Sequence, residues 1–147
     1  MGLFQAFDIT SSGLTAERFR MDVIAQNIAN VNTTHTENGE VYRRKTVVFE
    51  EKTLPASFKS ELSRALNFNG DGVKVTRVVE DRETDLVMAY DPGNPDADEN
   101  GYVSYPNVDT VTEMTNLIDA SRAYQANVTM FDALTATAQQ GISIGTA

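Results

Sequence analysis

Two long helical patterns sit at opposite ends of this 147-residue chain, and they constrain its fold more than any other feature. Toward the N-terminus, Phe7, Leu14, Met21 and Ile28 recur every seven residues. Leu3, Ile24 and Val31 occupy the flanking row, which Thr10 and Glu17 interrupt. Toward the C-terminus, Met114 and Leu117 are followed by Tyr124, by Val128 and Phe131, and by Ala138, with Ser121 and Thr135 in the small slots. Alternating steps of three and four are the seam of a coiled coil. The first pattern predicts a helix over about residues 3–31, with Gly13 weakening it by about 1 kcal/mol relative to alanine. The second predicts a helix over about residues 110–140, on the order of 45 Å long. Thr110 and Glu113 read as a capping box that opens it, and Gly141 as its stop. Two such helices at the chain ends can pair as antiparallel neighbours.

What surrounds the seams matters as much. Ala25, Asn27 and Ala29 on one helix are small and neutral, as are Thr115, Ala123, Ala126, Asn127 and Ala133 on the other. A two-helix hairpin standing alone in water carries charged outer faces. Heptad-like stripes on a soluble domain most often form its own core, but small neutral outer faces point to burial against helices of other chains. The candidate subunit-packing residues are therefore Phe7, Leu14, Met21, Ile24 and Ile28 with Met114, Leu117, Tyr124, Val128 and Phe131.

Residues 36–105 have a different texture. Thr36 to Glu40 reads as a turn around Asn38-Gly39. Val41–Phe49 is rich in β-branched and aromatic residues, Val73–Val79 alternates, and Leu86–Tyr90 is a short apolar run. These predict two or three strands of a small sheet. Leu54, Phe58, Leu62 and Leu66 step by four, so that Pro55 could open a short helix closed by the turn Asn69-Gly70-Asp71-Gly72. Asp91 to Asn100 reads as a polar loop. The fold class is α+β: long N- and C-terminal helices paired as a coiled coil, with a small β-rich middle domain. The helical assembly domain is discontinuous, residues 1–35 and 106–147, and the middle domain spans 36–105.

Composition narrows the function. The chain has no cysteine, which removes disulfides and thiolate ligands, and a net charge of −9. Residues 81–147 hold eleven of the 21 acids and only two bases, Arg82 and Arg122. Such a chain has no electrostatic footprint for nucleic acid or anionic lipid. No apolar run approaches the roughly 20 residues of a membrane span. No basic segment followed by an apolar one opens the chain, so if the protein leaves the cytoplasm the expectation is that it does so without a cleaved signal peptide.

Chemistry is sparse. His35 is the single histidine and falls in a predicted polar loop, so nucleophile–base pairs and histidine zinc sites are lacking. Asp96-Ala97-Asp98-Glu99-Asn100-Gly101 matches the first half of an EF-hand calcium loop, but the twelfth position is Asn107 where a bidentate Glu is needed. A calcium-binding module is thus the alternative from a different class, and a polar turn the simpler reading. Asp81, Glu83 and Asp85 with Arg82 read as a solvated strand end, and Arg43-Arg44-Lys45 as a solvated basic run. The expectation is a structural protein, not an enzyme, without cofactor or metal.

Residues 14–34, LTAERFRMDVIAQNIANVNTT, resemble the N-terminal signature of bacterial flagellar rod and hook proteins. Residues 90–108, YDPGNPDADENGYVSYPNV, and 113–128, EMTNLIDASRAYQANV, are similar to the C-terminal half of a proximal-rod member of that axial family. Residues 51–72 match no motif and read as a variable insertion. The resemblance carries over Asn27, Ala29, Asn30 and Thr33, and then Pro106, Asn107, Val108, Arg122, Tyr124, Gln125 and Asn127, as signature residues for helix termination and helix–helix contact. Asp119 and Arg122 are candidates for polar contacts across subunits. The resemblance implies a structural subunit of the proximal rod of the flagellar basal body, exported by the flagellar type III apparatus. Its partners would be copies of itself and other rod proteins in a hollow periplasmic shaft that transmits torque. Another axial rod subunit of the same family is the nearest alternative.

Overall fold

A computed structural model describes residues 3–52, 62 and 72–145. In chain order these form helix α1 (Leu3–Ala29), strands β1 (Lys45–Glu51), β2 (Val73–Glu80), β3 (Val87–Tyr90) and β4 (Tyr102–Tyr105), and helix α2 (Thr110–Gly145). The architecture is α+β, two long terminal helices with a β-rich middle. The strands make two two-stranded sheets, β1–β2 and β3–β4. Strand β4 lies in a stretch without alternation, and Gly101, at φ 81°, makes the turn into it. The helix proposed after Pro55 lies outside the described residues apart from Leu62, which is helical. No described helix is long and apolar enough to cross a membrane.

Helix α2 runs past Gly141, where a stop was expected. A helix stops at glycine when the chain adopts a left-handed turn there, and Gly141 is not among the glycines with positive φ. Helix α1 ends where its sequence can cap it. The Asn30 side-chain amide donates to the Gln26 carbonyl at 2.8 Å, and the Thr33 hydroxyl donates to Asn30 Oδ1 at 3.1 Å. The Gln26 carbonyl thereby accepts twice from Asn30, from its side chain and from its backbone N–H at 3.1 Å, which closes the last turn.

The chain divides into two compact units, and each takes part of both helices. The first comprises Met1–Phe19, Phe49–Thr76 and Ala120–Ala147. There α1 and α2 run antiparallel: Phe7 meets Phe131 edge to face at 5.1 Å, and further along Gly13 faces Asn127. A Cβ on Gly13 would lie 3.1 Å from the Asn127 amide oxygen, so glycine permits the approach. Thr10, Ala16 and Ala120 are buried in this unit. The Ser12 hydroxyl accepts from the Val73 N–H at 3.0 Å and donates to the Ile9 carbonyl. Gly72 sits against it at φ 97°, where an added Cβ would fall 2.1 Å from Ser12 Oγ. That position needs glycine for both its dihedral and its space.

The second unit comprises Arg20–Val48 and Arg77–Asp119. Its core holds Val23, Ile24, Tyr42, Val103, Pro106 and Val108. The β3–β4 hairpin is antiparallel, with Val87 opposite Tyr105, Ala89 opposite Val103 and Tyr90 opposite Tyr102. Three of the buried groups here are polar: Asn27, Asn107 and Glu113.

Candidate functional site

Asn27 lies near the end of α1 and is fully buried. Its Nδ2 donates to the Lys45 carbonyl and to Glu113 Oε2, both at 2.8 Å. Its Oδ1 accepts from the Lys45 N–H and from the Tyr42 hydroxyl, both at 2.9 Å. A side-chain amide offers two donors and an acceptor with two lone pairs, so every bond it can make is made. The pairing with Lys45 has the form of a peptide–peptide bond, which fixes the start of β1 against α1.

Glu113, in the first turns of α2, completes this clamp. Its other oxygen accepts from Arg44 Nε at 2.8 Å and, weakly, from Asn116 at 3.4 Å. The glutamate side chain is 1% exposed and that of Arg44 27%. A buried carboxylate is tolerated only when charge and hydrogen bonds compensate it, and here both do. Asn107, just before α2, makes the third link. Its Oδ1 accepts from the Arg44 N–H at 2.9 Å, while Nδ2 donates to the carbonyls of Asp81 at 3.0 Å and Thr84 at 3.2 Å. Three amide and carboxylate side chains thus tie α1, β1, the β2–β3 turn and the start of α2 together.

Two sequence expectations are corrected here. Glu113 is no capping-box residue: Asp109 caps α2, accepting from the N–H groups of Val111 and Thr112, both at 3.2 Å, and from the Thr112 hydroxyl. That hydroxyl and the two N–H groups hold the Asp109 carboxyl below its ordinary range. Arg43-Arg44-Lys45 is likewise no solvated run. Arg44 pairs with Glu113, Lys45 lies 5.3 Å from the Tyr42 ring centre, and Arg43 donates to the Asp81 carbonyl at 3.3 Å. Asp81 itself closes a turn. The Thr84 N–H, the Thr84 hydroxyl and the Glu83 N–H hold its carboxyl low.

The loop that resembles half a calcium site folds onto its own backbone. Asp98 Oδ1 accepts from the N–H groups of Asn100 and Tyr102, both at 2.8 Å. Asp96 accepts from the Thr34 hydroxyl at 2.6 Å and lies 3.6 Å from His35. Among the described residues no group of three or more acidic or histidine side chains is placed to hold a metal.

The remaining sequence candidates distribute as follows. Ile24 is buried; Phe7, Leu14, Met21, Ile28, Leu117, Tyr124 and Val128 are half-buried; Phe131 is at the edge of exposure. Met114 is 52% exposed, because the buried stripe of α2 runs through Glu113 and Ala120 instead. Of the signature residues, Asn27, Pro106, Asn107 and Val108 belong to the buried clamp or its surroundings, and Asn127 faces Gly13. Ala29, Asp119, Arg122 and Gln125 are exposed. Sequence reasoning missed Tyr42, Arg44 and Glu113 as members of the clamp. The available signal was an isolated glutamate on the same helical row as Ala120 and Asn127 in a charge-poor segment.

Tyr42 makes the clamp sensitive to alkali. Burial first, then the charges of Glu113 and Glu80, raise its phenol above the ordinary value of 10.0. The fold therefore favours the neutral phenol. Its contribution is complete below the unfolded value and is lost as pH rises through the folded one. Tyr42→Phe is expected to cost about 1 kcal/mol at neutral pH through the lost hydrogen bond. Its urea midpoint should then decline less steeply than that of the unaltered chain above pH 10, a comparison that isolates this phenol from the other tyrosines.

Comparison with known proteins places this arrangement. A family model described as flagella basal body rod protein matches residues 7–34, and one described as flagellar basal body rod FlgEFG protein C-terminal matches residues 99–144. The first takes in Asn27, Asn30 and Thr33; the second takes in Asn107, Asp109 and Glu113. The flagellar basal-body rod protein FlgC of Bacillus subtilis is 41% identical over 99% of both chains. That of Borreliella burgdorferi is 42% identical over 90% of each, and that of Salmonella typhimurium 38% over 99%. At this identity and coverage, the chain belongs to the flagellar basal-body rod protein FlgC family.

Proposed function

We propose that this chain is a subunit of the proximal rod and that α1 and α2 pack against the helices of neighbouring copies and other rod proteins to form a hollow, torque-transmitting shaft. As a member of its family it is a structural protein of the flagellar basal body, not an enzyme, and it assembles with other flagellar components. Residues 1–35 and 106–147 are the assembly segments in this reading, and 36–105 the outer part. Delivery to the periplasm runs through the flagellar type III apparatus without signal cleavage.

The observation that carries this reading is the apolar surface left on both helices. Leu3, Phe4 and Phe19 on α1 are exposed, as are Val111, Met114, Ile118, Met130, Ile142 and Ile144 on α2. Val111, Met114 and Ile118 are three and four apart, so they share one face. Thr115, Ala126 and Ala133 beside them are exposed, small and uncharged. Apolar surface of this extent marks a protein contact, and small neighbours let helices approach closely.

Alanine at Leu117, Tyr124 or Phe131 tests it. Each change should remove about 2–5 kcal/mol of packing where the side chain is buried in the assembled rod. The expected outcome is export without incorporation: variant protein in the medium, none in isolated basal bodies, and cells that do not swim. Normal swimming with all three variants would contradict the seam.

A further inference from the structure

The β3–β4 hairpin presents one uncovered face. Met88 and Tyr90 stand opposite Ser104 and Tyr102 on it. Met88 is 58% exposed, Tyr90 67% and Tyr102 42%, and the two tyrosine rings meet edge to face at 5.3 Å. The segment that forms it carries one sign of charge. From residue 83 to residue 109 the chain holds Glu83, Asp85, Asp91, Asp96, Asp98, Glu99 and Asp109, and neither Lys nor Arg. Two copies cannot pair this face with itself without bringing those carboxylates together, and like charges at an interface cost affinity. The surface that fits must combine apolar ground with cations.

The other unit of the same chain offers such a surface. A groove of about 460 Å³ has Phe19, Val73 and Val75 among its lining residues, and its described lining carries the cations Lys52 and Lys74 together with Asp8. Lys74 also lies 3.8 Å from Glu50, with both side chains about half exposed. The volume falls within the ~300–1,000 Å³ of pockets that bury a small molecule, enough to take side chains from a hairpin.

We propose that Met88, Tyr90 and Tyr102 of one copy seat in the Phe19–Val75 groove of a second copy, with Lys52 and Lys74 facing the acidic loop. The proposal rests on the rod reading and names a contact within it. Hairpin and groove are different surfaces, so the contact is heterologous. Each copy in a series keeps one hairpin and one groove for the next, and such contacts close into a ring or continue as a helix. A self-matching contact would stop at two copies.

The absence of cysteine makes the test direct. Met88→Cys and Thr15→Cys, the latter in the groove lining, are placed together in the chain and expressed in cells lacking the native gene. Ser104→Cys with Ser11→Cys is a second pair, and restored swimming before oxidation selects a pair that folds and assembles. Basal bodies are isolated, oxidised and blotted for this chain without reductant. The expected result is a ladder of multimers of this chain from the double variants, none from either single variant, and a several-fold weaker ladder when Lys52→Glu and Lys74→Glu are added. The contact is overturned if the chain is present in the basal bodies without a ladder, if Met88→Cys alone gives dimers, or if the cross-linked partner is another protein. Absence of the unaltered chain from basal bodies would instead refute the rod reading, and this contact with it.

Discussion

Arg44→Met is expected to lower the unfolding free energy by about 3–5 kcal/mol, a larger loss than Glu113→Leu produces. The asymmetry follows from burial. Glu113 is 1% exposed and Arg44 27%. Removing the arginine leaves a carboxylate in the core with only amide donors, from Asn27 and Asn116, to compensate it. Removing the glutamate leaves a guanidinium whose partly exposed side chain can turn to water. Arg44→Met/Glu113→Leu should therefore be more stable than Arg44→Met alone, because no uncompensated charge remains. Urea unfolding of the four proteins supplies the coupling energy between the two side chains. A double variant less stable than Arg44→Met would show that the pair is not what stabilises this part of the core.

The second large effect is at Asn27. Asn27→Ala strips partners from the Lys45 peptide, the Tyr42 hydroxyl and Glu113 together. Each buried polar group left without a partner costs about 1–3 kcal/mol, and partial rearrangement brings the expected total to about 3 kcal/mol. Asn27→Asp should be worse at neutral pH despite its matching shape. It replaces a donor lying 2.8 Å from the Glu113 carboxylate with a second anion. Equal stability of the two variants would mean that the amide donor to Glu113 contributes little. Because the same residue fixes both the end of α1 and the start of β1, Asn27→Ala should also fail to support swimming.

The helices, the first three strands and the turn at Gly39 were legible in the sequence, since periodicity and turn chemistry are local. The clamp was not. Asn27 and Glu113 are 86 residues apart, and Thr110, three positions before Glu113, favoured a capping residue over the buried partner that the row of Glu113, Ala120 and Asn127 points to. Arg44 was obscured because three consecutive basic residues look solvated until each is seen to have a different partner. Strand β4 escaped because Tyr102–Tyr105 pairs only through the hairpin that Gly101 turns. The continuation of α2 through Gly141 could not be read from residue type, since glycine permits a stop without requiring one. Asn27 and Asn107 were identified as signature positions by resemblance alone; the geometry shows what they do within the chain, which is to satisfy buried peptide groups.

The most direct test of the structural role is deletion of the gene, followed by electron microscopy of isolated basal bodies. A proximal-rod subunit predicts membrane rings without rod, hook or filament, and cells that do not swim until the gene is restored. Intact rods and normal swimming in the deletion strain, with no second copy of the gene present, would contradict it.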